Sequence, residues 1–181
     1  MDRETQLHLA LDMLTEVIER DVEVPLKTAG LSMQPSICGG EWVIVRRAGA
    51  PDIGLGDIVI YQAGGIFIAH RIIRRREQAG RVFFAVKGDA QLAAEEIAAD
   101  QVVARVVAVK RGDRRIDLDR PRRRLASRLI AGYSSWVDTL YRAMPRLPAV
   151  LRPGGGRLPG RLAGRLVRSL NRLPARLLGR R

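Results

Sequence analysis

The chain has 181 residues, of which 46% are hydrophobic and 4% aromatic, with one cysteine and a formal net charge of +13; this allows one domain with appendages and excludes an internal disulfide framework. The charge is uneven: residues 1–120 carry 17 basic and 18 acidic side chains, whereas residues 121–181 carry 15 basic and one acidic, Asp138. A neutral globular part argues against a nucleic-acid-binding domain, and two histidines with one cysteine cannot build a zinc set, so no metal or cofactor is expected.

The pattern divides the chain into residues 1–21, 22–120 and 121–181. Residues 4–20 read as an amphipathic helix, because Leu7, Leu11, Leu14 and Ile18 recur at helical intervals. The opening Met1-Asp2-Arg3-Glu4 is unlike a signal peptide. No apolar run approaches the ~20 residues of a spanning helix, so a cytoplasmic or peripheral membrane location is expected.

From about residue 22 to 118 the pattern is short β segments with turn punctuation. Val22 to Lys27 reads as extended. Val43-Ile44-Val45, Ile58 to Tyr61, Ile66 to Ala69, Arg81 to Val86 and Val102 to Val109 are rich in β-branched or aromatic residues. Gly39-Gly40, Pro51-Asp52, Gly64-Gly65 and Gly112-Asp113 mark turns, and Gly64-Gly65 predicts a hairpin. The expectation is a mainly β, hairpin-built domain. After Pro121 the composition changes. Leu125, Leu129, Tyr133, Trp136, Leu140 and Tyr141 recur at helical spacing among arginines. Beyond a Pro/Gly linker, arginine and leucine alternate about once per helical turn over 157–180. A basic amphipathic stretch bearing Trp and Tyr points to peripheral contact of 121–181 with an anionic membrane; a solvated or nucleic-acid-binding tail is the alternative.

Three short stretches carry the chemistry. In Gly30-Leu31-Ser32-Met33-Gln34-Pro35, Ser32 falls in a turn between extended segments, where its hydroxyl can project and freed N–H groups can face an oxyanion. In Ile68-Ala69-His70-Arg71-Ile72-Ile73 lies the one histidine of the β-rich part. In Lys87-Gly88-Asp89-Ala90, Asp89 sits in a turn. A serine hydroxyl needs a base within hydrogen-bond reach, and imidazole can take its proton and return it to the leaving amine. Each residue also has a plain structural reading: a turn serine, a sheet-edge histidine, a turn carboxylate.

These motifs, with Gly56-Asp57-Ile58-Val59-Ile60-Tyr61 between them, resemble the type I signal peptidases over about residues 26–110. The likeness is to the Ser-His branch, since His70 stands where other members carry a lysine base. The resemblance implies a partly open β-barrel of the signal peptidase/LexA-like fold, with an N-terminal helix and C-terminal amphipathic helices. It implies a serine endopeptidase with Ser32 as nucleophile, His70 as base and Asp89 as orienting acid. Glu95, Glu96 and Asp100 are the other candidates for that third place. The expected partner is a precursor or leader peptide with small residues before the cut. Gly30 stands where many members have a Ser or Thr oxyanion donor. Two alternatives remain: a non-catalytic module with a basic tail, and a LexA-like self-cleaving protein. The latter needs a helix-turn-helix domain, for which the ~25 residues before the first strand are expected to be too few.

Overall fold

The computed structural model describes residues 22–143. The helix expected over 4–20 and the Arg/Leu stretch over 157–180 lie outside the described residues.

Eight strands and one long helix make up the described part: β1 Val24–Lys27, β2 Trp42–Arg46, β3 Ile58–Ala63, β4 Ile66–Gln78, β5 Arg81–Lys87, β6 Glu95–Ala98, β7 Val102–Arg111, β8 Arg114–Asp117 and α1 Pro121–Ala143. All pairings are antiparallel. The strand order is β1-β2-β7-β3-β4-β5-β6, with β8 on β7. Since β1 and β6 end this order without pairing to each other, the sheet is open. The expected mainly β class is therefore present.

The expected strands extend further than their apolar runs. The Ile66 to Ala69 segment continues through His70 to Gln78, because β5 pairs with it along its charged second half. Two strands, β6 and β8, lack an apolar run and were not expected. Gly64-Gly65 does form the tight turn of the β3–β4 hairpin, with Ala63 opposite Ile66.

Alternation along β3 separates two apolar clusters. Ile58 and Ile60 pack with Val43, Val45, Val106, Met33 and Ile37. Val59 and Tyr61 pack with Ile72, Phe84, Val86 and Ile97. Both faces of β4 are buried near its centre. The β4–β5 register shifts between Ile72 and Arg74, a bulge that leaves Ile73 free to pack against Ala94 and Ala131 of α1.

α1 buries Ile130, Ala131, Ser134 and Asp138. Gly56 lets it come this close: a Cβ there would lie 2.8 Å from the Arg128 nitrogen, so a larger residue would push the helix away. The helix is also tied to the sheet by Arg71, which is only 1% exposed. Its Nε and Nη2 donate to the two Asp89 oxygens at 2.8 and 2.7 Å. Its Nη1 donates to the Gly56 carbonyl at 2.9 Å and to the Ser127 hydroxyl at 2.6 Å. Nη2 also donates to the Ser36 hydroxyl at 3.1 Å.

A buried carboxylate stripped of its cation is strongly destabilising, by ~3–5 kcal/mol. Arg71→Met should therefore lower the urea midpoint by a loss of that order. Adding Asp89→Leu to Arg71→Met should recover a large part of it, because the uncompensated charge is then gone.

Candidate active site

Ser32 lies in the turn that follows β1, and its placement comes from main-chain contacts. Its carbonyl accepts the Ala90 N–H at 2.8 Å. A Cβ on Gly88 would stand 2.7 Å from the same carbonyl oxygen. Glycine at 88 thus lets the serine turn close onto the end of β5. Met33 and Ile37, both buried, root the turn in the first apolar cluster. Among the described residues, the Ser32 hydroxyl makes no hydrogen bond.

His70 lies on β4, opposite Val59 of β3 and one residue before Arg71, whose partner on β5 is Lys87. The imidazole is buried, at 3% exposure. Its Nδ1 lies 2.9 Å from the Tyr61 hydroxyl and 3.0 Å from Glu95 Oε1. The Tyr61 hydroxyl in turn donates to Glu95 Oε1. Burial first, and then Glu95, push the Tyr61 pKa far up, so the phenol keeps its proton. That proton goes to Glu95. Nδ1 is then left to donate its own hydrogen to the same carboxylate, which puts the neutral imidazole's lone pair on Nε2. Nε2 has no hydrogen-bond partner among the described residues. Burial pulls the His70 pKa below its ordinary value, against the upward pull of Glu95, so the ring is neutral and able to accept a proton near pH 7.

Structure and sequence differ at the third residue. Asp89 was expected to orient the imidazole, but its oxygens are taken by Arg71 and Ser36. The reason is alternation: His70 and Arg71 are neighbours on one strand and point to opposite faces. Asp89 follows Arg71, and Glu95 occupies the face of His70. Glu96 pairs with Arg76, and Asp100 with Arg81. Tyr61 was missed as a site residue; its place two residues after Val59, the cross-strand partner of His70, is legible only once the hairpin register is known. Lys87 was also passed over. It is 2% exposed, burial lowers its pKa, and its Nζ lies 3.4 Å from the Gly88 carbonyl. Its pairing with Arg71 puts it on the Arg71 face.

Glu95 is set opposite Val86 by the pairing of β6 with β5, and α1 holds the residue before it. Asp138, with no exposed surface, accepts the Ala94 N–H at 2.8 Å. Arg142, one turn further along the helix, donates to the Ala94 carbonyl at 2.7 Å and to Asp138 at 2.9 Å. Arg74 of β4 donates to Asp138 at 2.5 Å. Burial pushes the Asp138 carboxyl up, but Ala94, Arg74 and Arg142 outweigh it and hold the group ionised. The residue just before Glu95 is thereby clamped on both its N–H and its C=O.

No group of His, Cys, Asp and Glu among the described residues is arranged to hold a metal ion. No helix among them is long and apolar enough to cross a membrane. Comparison with known proteins finds no family model and no curated protein that matches the chain. The likeness to signal peptidases therefore rests on the short motifs alone.

Proton NMR of the two histidine rings tests the electrostatics. The His70 resonance, assigned by its loss in His70→Gln, should titrate with a midpoint below the ordinary ~6.5. Glu95→Gln removes the attraction that favours imidazolium, so the midpoint should fall further.

Proposed function

We propose that this chain is a serine-type endopeptidase that works like the Ser-His signal peptidases, with Ser32 as nucleophile, His70 as general base and Glu95 as the acid that orients it. The observation that carries the reading is the proton arrangement at His70. Glu95 and Tyr61 occupy Nδ1, leaving Nε2 without a hydrogen-bond partner among the described residues. A catalytic serine needs such a base. The Ser32–His70 hydrogen bond is not formed in this structure; in resting enzymes such bonds are often long and tighten when substrate is bound.

In the proposed reaction His70 Nε2 takes the Ser32 hydroxyl proton as Oγ attacks the peptide carbonyl carbon. The C–N bond breaks, the leaving amine receives that proton, and an ester to Ser32 remains. Water, deprotonated by the same nitrogen, then hydrolyses the ester. The imidazolium formed at each attack is stabilised by Glu95 at 3.0 Å. The Ser32 N–H is the natural oxyanion donor, because Gly30 offers no side-chain hydroxyl. The signal peptidase/LexA-like architecture belongs to the same proposal; an open, all-antiparallel sheet with the serine turn at a strand end is compatible with it. The proposed substrate is a precursor or leader peptide bound as an extended strand, with small side chains before the cut. Asp89 then serves the fold, through Arg71, rather than the chemistry.

The unbonded Ser32 hydroxyl favours a second reading, in which the domain is a non-catalytic module and the His70 cluster is structural. A fluorophosphonate probe separates the two. The peptidase reading expects covalent labelling of the wild type at Ser32, absent in Ser32→Ala and slowed at least a hundredfold in His70→Gln. Labelling should quicken as pH rises through the depressed His70 pKa. A folded wild type that neither labels nor cleaves small-residue peptides sinks the peptidase reading and leaves the module. A separate variant, Asp138→Ala, should slow labelling by about tenfold with Ser32 and His70 untouched, since it releases the clamp before Glu95.

A further inference from the structure

The apolar stripe most evident in the sequence of α1 faces outward. Leu125 is 60% exposed, Leu129 57%, Trp136 62% and Leu140 48%. At 100° per residue these four, with half-buried Tyr133, fall within an arc of about 80°. The buried Ile130, Ala131, Ser134 and Asp138 lie on the opposite side. The Tyr133 and Trp136 rings are neighbours, with centroids 6.5 Å apart. From Leu125 to Leu140 the stripe runs about 22 Å along the axis. A helix held to its domain through one face and apolar along the other has a second surface to cover.

Charge indicates what covers it. Residues 121–143 carry five arginines and one acid, and that acid, Asp138, is buried and paired. Arg122 and Arg128, both exposed, flank the stripe and form no ion pair among the described residues. The sequence that follows, 144–181, adds ten arginines and no acidic residue. Two copies meeting stripe to stripe would bring two positively charged helices together. A surface that is apolar beneath and negative above suits the pattern instead.

We propose that this stripe docks on an anionic lipid bilayer, with α1 lying in the interfacial plane. Leu125, Leu129, Trp136 and Leu140 enter the boundary between headgroups and acyl chains. Arg122 and Arg128 sit at the lipid phosphates, and the Tyr133 hydroxyl stays at headgroup level. This does not depend on the peptidase reading; it narrows the membrane contact expected of 121–181 to one face of one helix.

The test uses the full chain with Trp42→Phe, so that Trp136 is its one tryptophan. Vesicles of phosphatidylcholine with about a third phosphatidylglycerol serve as the probe, with and without bromines on the acyl chains. The Trp136 emission should shift to the blue and be quenched by the brominated lipid, and pure phosphatidylcholine should give a far weaker response. Adding Leu129→Glu should lower vesicle partitioning about tenfold or more, the scale of one buried leucine, with an unchanged melting curve. Binding with Trp136 neither shifted nor quenched would overturn the proposal, since the arginine-rich segment alone would then hold the vesicle. A blue shift without lipid that grows with protein concentration, together with a dimer in sedimentation, would also overturn it and assign the stripe to a second copy.

Discussion

Four separate pieces of chain meet at one guanidinium. Arg71 joins the serine turn through Ser36, the turn before β3 through Gly56, the end of β5 through Asp89 and the C-terminal helix through Ser127. Each of these pieces carries polar groups that burial would otherwise leave costly. A planar fork with five donors can serve all of them at once, which a lysine ammonium cannot. Position 71 is also the neighbour of His70. One strand therefore supplies the proposed base on one face and the scaffold's tie on the other.

This duality explains which parts of the molecule were legible in the sequence. The β-branched runs and Gly64-Gly65 gave away the central hairpins, because both signals are local. β6, Glu95 to Ala98, and β8, Arg114 to Asp117, have no apolar run; they are strands because β5 and β7 offer them free edges. The order of Ser32, His70 and Lys87-Gly88-Asp89 pointed to one location; of these, the serine turn meets the end of β5, where the Ala90 N–H holds the Ser32 carbonyl. The identity of the acid was not legible. Choosing between Asp89 and Glu95 requires knowing which face of β4 each meets, and spacing along the chain does not contain that. Tyr61 was hidden for the same reason.

The helix shows the limit of reading amphipathicity by size. Most of its large apolar residues face out, and the side that packs on the sheet carries Ile130, Ala131, Ser134 and Asp138. Small side chains allow α1 to approach Gly56 and Ile73 closely, and Asp138 answers Arg74, Arg142 and the Ala94 N–H. Polar contacts to Arg74 and Ala94 thus accompany the burial of Ile130 and Ala131 in holding the helix in this orientation. A consequence is that α1 is joined to the residue next to Glu95, through the bonds of Asp138 and Arg142 to Ala94.

The serine turn is fastened to the rest of the protein by its main chain. The Ala90 N–H holds the Ser32 carbonyl, and no described residue grips the side chain. The course of the turn at position 32 is therefore set by main-chain contacts and not by the hydroxyl. A cysteine would place sulfur at the same half-exposed position, and the protein's own thiol, Cys38, sits partly covered a few residues away. Such a swap would give the protein a second thiol, whose rate of reaction with thiol-directed reagents would report how far the turn opens, with Cys38 as the internal reference.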